Sequence, residues 1–305
     1  MTSPLHAPFY ADSACQQNVE IVKNVLLARE TFRLRFRSPA IAQRILPGQF
    51  LMLRLADCND PLIGRPLAMY DVAGDCLDVV YLVKGKLTTR LQEFRPGQRV
   101  DVWGPLGNGF LPQPTEHLVM VAGGIGQTPF LALAKEYLGR QQFGTPPRQV
   151  PRAKQITFCY GARTADYLAG VNDFEQLGVE VRIATDDGSR GHHGLVTDLL
   201  SQVLQEAGGR RQVTPAELRP QPPVPSPLSP PLRIVCCGPE PMMEAVAKIA
   251  VAKNIPCQVS LETPMACGIG ICFTCVAKVR TSEGEWDYKR TCVEGPVFDA
   301  AMIEW

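Results

Sequence analysis

From Val19 to about Leu111 apolar and polar positions alternate in runs of strand length: "TFRLRFRS", "QFLMLRLA", "CLDVVYLV" and "QRVDVWGPLG". A period of two puts successive side chains on opposite faces, one buried and one wet. Turn-forming residues separate the runs, at Pro47-Gly48, Ala73-Gly74-Asp75 and Pro96-Gly97, so this part predicts an antiparallel barrel or sandwich. Leu87 to Phe94 lacks the alternation and predicts a single short helix.

Beyond Pro114 the pattern changes to continuous apolar runs that each feed a helical period. "HLVMVAGG" leads into "TPFLALAKEYLG", "QITFCYGA" into "YLAGVNDFEQLG", and "LRIVCCGPE" into "MMEAVAKIAVAKN", with "VEVRIATDDG" between. Strands apolar on both faces and alternating with helices predict a parallel, doubly wound sheet. Two stretches, "RQQFGTPPRQVPRAK" and "AGGRRQVTPAELRPQPPVPSPLSPPL", do not fit a compact core. The second, at about 208–232, is dense enough in proline to read as an extended surface insertion. After Gln258 a cysteine-rich tail is too short for a hydrophobic core, and a metal centre would supply what the core lacks. The chain therefore divides into 1–113, 114–257 and 258–305, without internal repeats.

With 305 residues, two or three packed units are expected. A formal charge of +1 gives no reason to expect nucleic acid as a partner. No stretch resembles an export signal or a membrane span, and the expectation is a soluble cytoplasmic protein. In that reducing setting the 11 cysteines favour metal ligation over disulfides. Cys15, Cys58, Cys76, Cys159, Cys236, Cys237 and Cys257 are scattered in apolar surroundings and read as small buried hydrophobes.

The other four are different. Cys267, Cys272 and Cys275 stand in a C-x4-C-x2-C arrangement, and Cys292 follows after sixteen intervening residues. This is the plant-type spacing for a 2Fe-2S cluster, with Gly268 and Gly270 letting backbone amides approach the sulfides. A structural zinc site or four unliganded thiols are the competing readings, and neither accounts for the four-residue gap with its glycines.

In "VMVAGGIGQTPF" a buried strand runs into Gly123, Gly124 and Gly126, and Thr128 opens a helix. Glycines admit a pyrophosphate to the backbone and the helix start favours its charge, although a plain strand-to-helix turn has the same look. At a second strand end, Cys237 is followed by Gly238, Pro239 and Glu240, where a nucleotide would lie. Cys237 is either buried there or beside a nicotinamide ring. Arg65 in "GRPLA" is placed to clamp a diphosphate, and Gly85 and Thr88 begin the short helix. In "DDGSRGHHG", Asp186, Asp187, His192 and His193 read better as a glycine-rich loop near phosphate than as a metal site.

Together these motifs resemble the ferredoxin reductase superfamily. Within it, the chain is most similar to the iron-sulfur electron-transfer subunits of the NAD-linked, class 1B dihydroorotate dehydrogenases. The likeness runs from about Val19 to Trp305 and rests on "GRPLAMYDV", "GPLGNGF", "AGGIGQTPF", "YGARTADYL", "TDDGSRGHHGLVTDLL", "CGPEPMMEAVAKIA", "IPCQVSLETPMACGIGICFTC" and "GPVFDA". It implies a multidomain fold: an antiparallel β-barrel flavin domain, an α/β doubly wound nucleotide domain and a small C-terminal 2Fe-2S domain. The resemblance carries FAD binding onto Arg65, Pro66, Leu67 and Ala68, onto Val80, Tyr81 and Leu82, and onto Leu87 and Thr88. Ala68 stands where the family has serine, Leu82 where it has arginine, and Leu87 where it has glycine. The implied cofactors are FAD, a 2Fe-2S cluster and NAD. The implied partner is an FMN-containing catalytic subunit, in a heterotetramer, which oxidises dihydroorotate in pyrimidine biosynthesis. No residue here is expected to touch orotate, so the chain alone should be inactive on dihydroorotate. A reductase subunit of a sulfide dehydrogenase, hydrogenase or transhydrogenase complex would show the same motifs, as would a redox sensor without turnover.

Overall fold

The computed structural model describes residues 11–56, 58–209, 232–281 and 284–305. Six antiparallel strands close into a barrel: β1 (Cys15–Ala28), β2 (Thr31–Arg37), β3 (Phe50–Leu55), β4 (Arg65–Ala73), β5 (Cys76–Leu82) and β6 (Arg99–Leu106), in the order β1-β2-β5-β4-β3-β6. The long β1 closes it by serving two neighbours. Its first half pairs with β6 from Cys15↔Gly104 to Glu20↔Arg99, and after an irregularity at Ile21 to Lys23 its second half pairs with β2. Such a bulge bends a strand and lets it turn a barrel corner. Alternate residues including Ile21, Leu34, Phe36, Leu53, Val79 and Val102 fill the interior. Two short helices, α1 (Pro39–Ala42) and α2 (Lys86–Leu91), lie between strands.

The second unit is a seven-stranded sheet of order β10-β9-β8-β7-β11-β12-β15. Its strands are β7 (His117–Gly123), β8 (Gln155–Ala162), β9 (Glu180–Thr185), β10 (His192–His193), β11 (Leu232–Cys237), β12 (Cys257–Ser260) and β15 (Val297–Asp299). All pairs are parallel except β12 with β15. Strand β7 shows why the runs are apolar throughout: Leu118, Met120 and Ala122 face one layer and Val119 and Val121 the other. The first layer holds α3 (Phe130–Tyr137) and α4 (Val171–Gln176), and the second holds α5 (Val196–Gly209) and α6 (Glu240–Ala252).

The sheet continues into the cysteine-rich tail through β12 and β15. Between them lie the cysteine loop and a hairpin of β13 (Val276–Arg280) and β14 (Trp286–Arg290). The tail has little core of its own, as its composition suggests. Met265, Cys275, Cys292 and Val293 pack instead against Phe50, Met52 and Leu106 of the barrel, and the Trp103 indole donates to the Cys267 carbonyl at 2.9 Å.

Barrel and sheet are joined by buried and half-buried charge. Lys135 of α3 reaches Asp71 of β4 at 2.6 Å, and the Tyr70 hydroxyl donates to Asp173 of α4 at 2.6 Å. The first proline-containing stretch, expected to stand off the core, is part of this seam. Phe143 is buried in the barrel core, the Thr145 hydroxyl donates to the Gln43 carbonyl at 2.6 Å, and Arg148 pairs with the buried Glu136 at 2.6 Å. One aromatic ring and one charge pair therefore outweigh the surrounding prolines. Most of the second insertion, at 210–231, lies outside the described residues. Among the described residues no helix is long and apolar enough to cross a membrane.

Candidate functional site

A cavity of about 760 Å³ opens where the barrel, the sheet and the cysteine loop meet. Antiparallel pairing of β3 with β4 and of β4 with β5 brings the start of β4 beside the end of β5. Arg65, Pro66, Leu67, Ala68, Val80, Tyr81, Leu82 and Thr88 consequently share this wall, and Thr128 faces them from the nucleotide turn. Leu87 points elsewhere, into the barrel core. The Tyr81 hydroxyl donates to Asn24 at 3.1 Å, and burial pushes its pKa up. Arg65 donates to the carbonyls of Ile63 at 3.3 Å and Gly64 at 3.1 Å, so its guanidinium lies along its own turn. The Thr88 hydroxyl accepts from the Lys84 amide at 2.8 Å and donates to the Gly85 carbonyl, which locks the first turn of α2.

A mostly apolar cavity of this volume with a few polar groups fits a planar cofactor ring. The remaining wall was not singled out from the sequence. It is the segment Ser260 to Ala266, which leaves β12 for the cysteine loop, together with Thr274 inside that loop. Glu262 opens to solvent through the cavity mouth yet is surrounded by protein, and this desolvation raises its carboxyl while Lys84 opposes the shift. Non-local placement explains the omission, because nothing in "SLETPMA" announces the strands it will face.

The nucleotide turns sit at the carboxyl ends of β7 and β11, which are neighbours in the sheet. Sequence order runs outward from this pair in both directions, the switch point at which α/β sheets bind ligands. Gly126 is required there, since a Cβ would lie 2.3 Å from the Cys237 carbonyl oxygen. Gly123 and Gly238 are similarly close, and Pro239 and Glu240 begin α6 beside them, with Gly124 at φ +55° opening the turn. Cys237 is buried, which pushes its thiol well up, and it also lines the cavity. Gln127, fully buried in the same turn, has no partner for either amide atom among the described residues.

The four cysteines converge as two pairs. Cys272 neighbours Cys267, and Cys275 neighbours Cys292. A hydrogen bond from Thr274 lowers Cys272 to about 6, and contact with Cys292 lowers Cys275 to about 6, while Cys292 is pushed up by that same contact. Thiolates are the ligating form, so two thiols held near neutrality suit iron. Gly268 and Gly270, at φ +73° and +82°, turn the loop, and the Ile269 amide donates to the Cys267 sulfur at 3.4 Å. Among the described residues no three acidic, histidine or cysteine side chains gather around one point as a single ion requires. Two pairs are how two irons divide four thiolates. In the histidine loop, Asp187 accepts from the Ser189 amide and hydroxyl, and His192 lies 3.3 Å from Asp198.

Barrel, switch-point sheet and thiol loop define an iron-sulfur flavoprotein of the ferredoxin reductase class, with FAD-binding, NAD-binding and iron-sulfur cluster-binding domains. Residues 18–110 match the oxidoreductase FAD-binding domain and 120–248 the oxidoreductase NAD-binding domain. Residues 262–304 match the iron-sulfur cluster binding domain of dihydroorotate dehydrogenase B. The dihydroorotate dehydrogenase B (NAD(+)) electron transfer subunit of Desulforamulus reducens is 32% identical over 94% of this chain and 98% of its own. Its counterpart in Caldanaerobacter subterraneus is 31% identical over 94% and 98%. The chain belongs to this family. Among solved structures, a chain of an NADH-dependent reduced ferredoxin-NADP oxidoreductase, studied for flavin-based electron bifurcation, superposes with a TM-score of 0.72. It is 28% identical over 95% of this chain and 90% of that one. The ferredoxin reductase of carbazole 1,9a-dioxygenase shares the fold, with a TM-score of 0.61 at 20% identity over 80% and 67% of the two chains.

Proposed function

We propose that this chain carries electrons between NAD and an FMN-containing dihydroorotate dehydrogenase subunit in pyrimidine biosynthesis. The observation that supports this most is the single cavity bounded by the flavin strands, the nucleotide turn and the segment leading to the cysteines. FAD, when bound, supplies the exchange between a two-electron hydride donor and one-electron carriers, and the cluster supplies the one-electron relay. The chain's own residues position and enclose. Pro66, Leu67 and Val80 form apolar walls, the turn at Gly123 to Gly126 would admit a nucleotide, and the four thiolates would hold iron within the tail. Glu262 is the one carboxylate that lines the cavity among the described residues.

On this reading the isolated chain oxidises NADH with artificial acceptors but does not act on dihydroorotate. Its partner docks over the cluster loop, where Ile271 and Phe273 stand exposed beside Cys272, and the assembly is a cytoplasmic heterotetramer. The test is anaerobic purification of the tagged chain with its bound partner, followed by NAD-dependent orotate formation. Activity that vanishes when the partner is removed is the expected result. NADH-dependent flavin bleaching without orotate formation would assign the chain to another redox complex, the alternative favoured by its likeness to the NADH-dependent ferredoxin-NADP oxidoreductase.

A further inference from the structure

Two threonine hydroxyls lie beside the thiol pairs, and their surroundings differ. Thr291 is fully buried next to Cys292, and its hydroxyl is committed to the Cys275 carbonyl at 3.0 Å and to Thr263 at 2.5 Å. It ties β14 to the loop. Thr274 is exposed, and the acceptor of its hydroxyl is the Cys272 sulfur, at 3.2 Å. Thr274 also belongs to the wall of the large cavity, together with Pro66 and Leu67 of the barrel. One side chain thus touches both the space that fits the flavin and a sulfur of one of the two thiol pairs.

We propose that Thr274 is a positioning residue for electron transfer, whose hydroxyl sets how readily the cluster accepts an electron from the cavity side. The inference rests on the cluster-bearing reading of the tail. One-electron reduction adds a negative charge to the iron-sulfur unit, spread partly onto its cysteine sulfurs. A donor aimed at one of those sulfurs stabilises the reduced form more than the oxidised one. Removing that donor favours the electron's remaining on the cavity side. One hydrogen bond shifts such an equilibrium by roughly threefold to tenfold. The Ile269 amide on Cys267 acts in the same sense but is backbone, so Thr274 is the adjustable member of the pair's hydrogen bonds.

The experiment uses the full chain, loaded anaerobically, as wild type, Thr274→Val and Thr274→Ser. Reductive titration is followed by electron paramagnetic resonance for the cluster and by absorbance for the flavin. Thr274→Val should disfavour cluster reduction relative to flavin by roughly threefold to tenfold, while Thr274→Ser titrates like wild type. In the oxidised protein, resonance Raman should show the iron-cysteine stretch rising in Thr274→Val and not in Thr274→Ser. Should the valine variant assemble no cluster, Thr274→Ala removes the same hydroxyl with less bulk. Equal titration of wild type and the variants lacking the hydroxyl overturns the proposal, as does a serine variant that shifts like valine. Iron missing from the wild-type chain would instead overturn the cluster reading beneath it.

Discussion

The cysteine loop and the cavity beside it solve the problem of holding a cofactor in opposite ways. Three of the four thiols come from nine consecutive residues, and the fourth from the far end of one hairpin. The cavity draws its wall from β4, β5, α2, the turn after β7, the end of β11 and the segment after β12. The cysteine site is local and chemically explicit, so each ligand is indispensable. The cavity is distributed and mostly apolar, so its individual side chains matter less than the packing that brings the segments together.

The sharpest break between the two regions should come from Cys272→Ser. Loss of one thiolate should abolish electron delivery to the partner while NADH still reduces the flavin, measured as orotate-linked turnover against anaerobic flavin bleaching. Full orotate formation by this variant would mean that electrons bypass the cluster. Next is Gly126→Ala, which drives a methyl to 2.3 Å from the Cys237 carbonyl oxygen. Overpacking of this kind costs about 1–3 kcal/mol, and the displaced turn should raise KM for NADH by roughly tenfold or more. An unchanged KM would show that the two turns do not need their close contact.

Smaller effects probe the cavity wall. Desolvation by the surrounding protein raises the carboxyl of the solvent-exposed Glu262 on folding, so its contribution to stability is complete below the unfolded pKa and is lost as pH rises through the folded one. Glu262→Gln removes that loss. Its melting temperature should match wild type near about pH 4 and exceed it increasingly toward about pH 8, and a difference that does not vary with pH contradicts the assignment. The smallest effect is expected from Gln127→Leu. Replacing a fully buried amide with no partner by an apolar group should stabilise the ligand-free chain by about 1 kcal/mol, read as a small rise in thermal midpoint. A fall would mean that the amide is satisfied by an ordered water or a ligand.

The same contrast governs what could be read before the structure. The four cysteines, the glycine turn and the alternation of the barrel strands are local signals; the strands close into the barrel, and the cysteines and glycines stand on the loop and turn that carry them in the sequence. Leu87 shows where local reading ends. It lies in the expected segment, but its side chain fills the barrel core, whereas Arg65 lines the cavity with its guanidinium bonded to its own turn. Side-chain direction within a motif is settled by neighbours that are distant in sequence. Glu262, Thr263 and Thr274 were overlooked for the same reason, because only the packing of the tail on the barrel end makes them a wall. Phe143 reverses the case: proline-rich surroundings suggested a detached loop, and one buried ring anchors it.

The most direct test of the account is anaerobic rapid mixing of the loaded chain with NADH, following flavin absorbance and the paramagnetic signal of the cluster together. The flavin should bleach first, and the cluster signal should then grow as electrons pass the wall formed by Ser260 to Ala266 and Thr274. A flavin that bleaches while an intact cluster stays oxidised would contradict it.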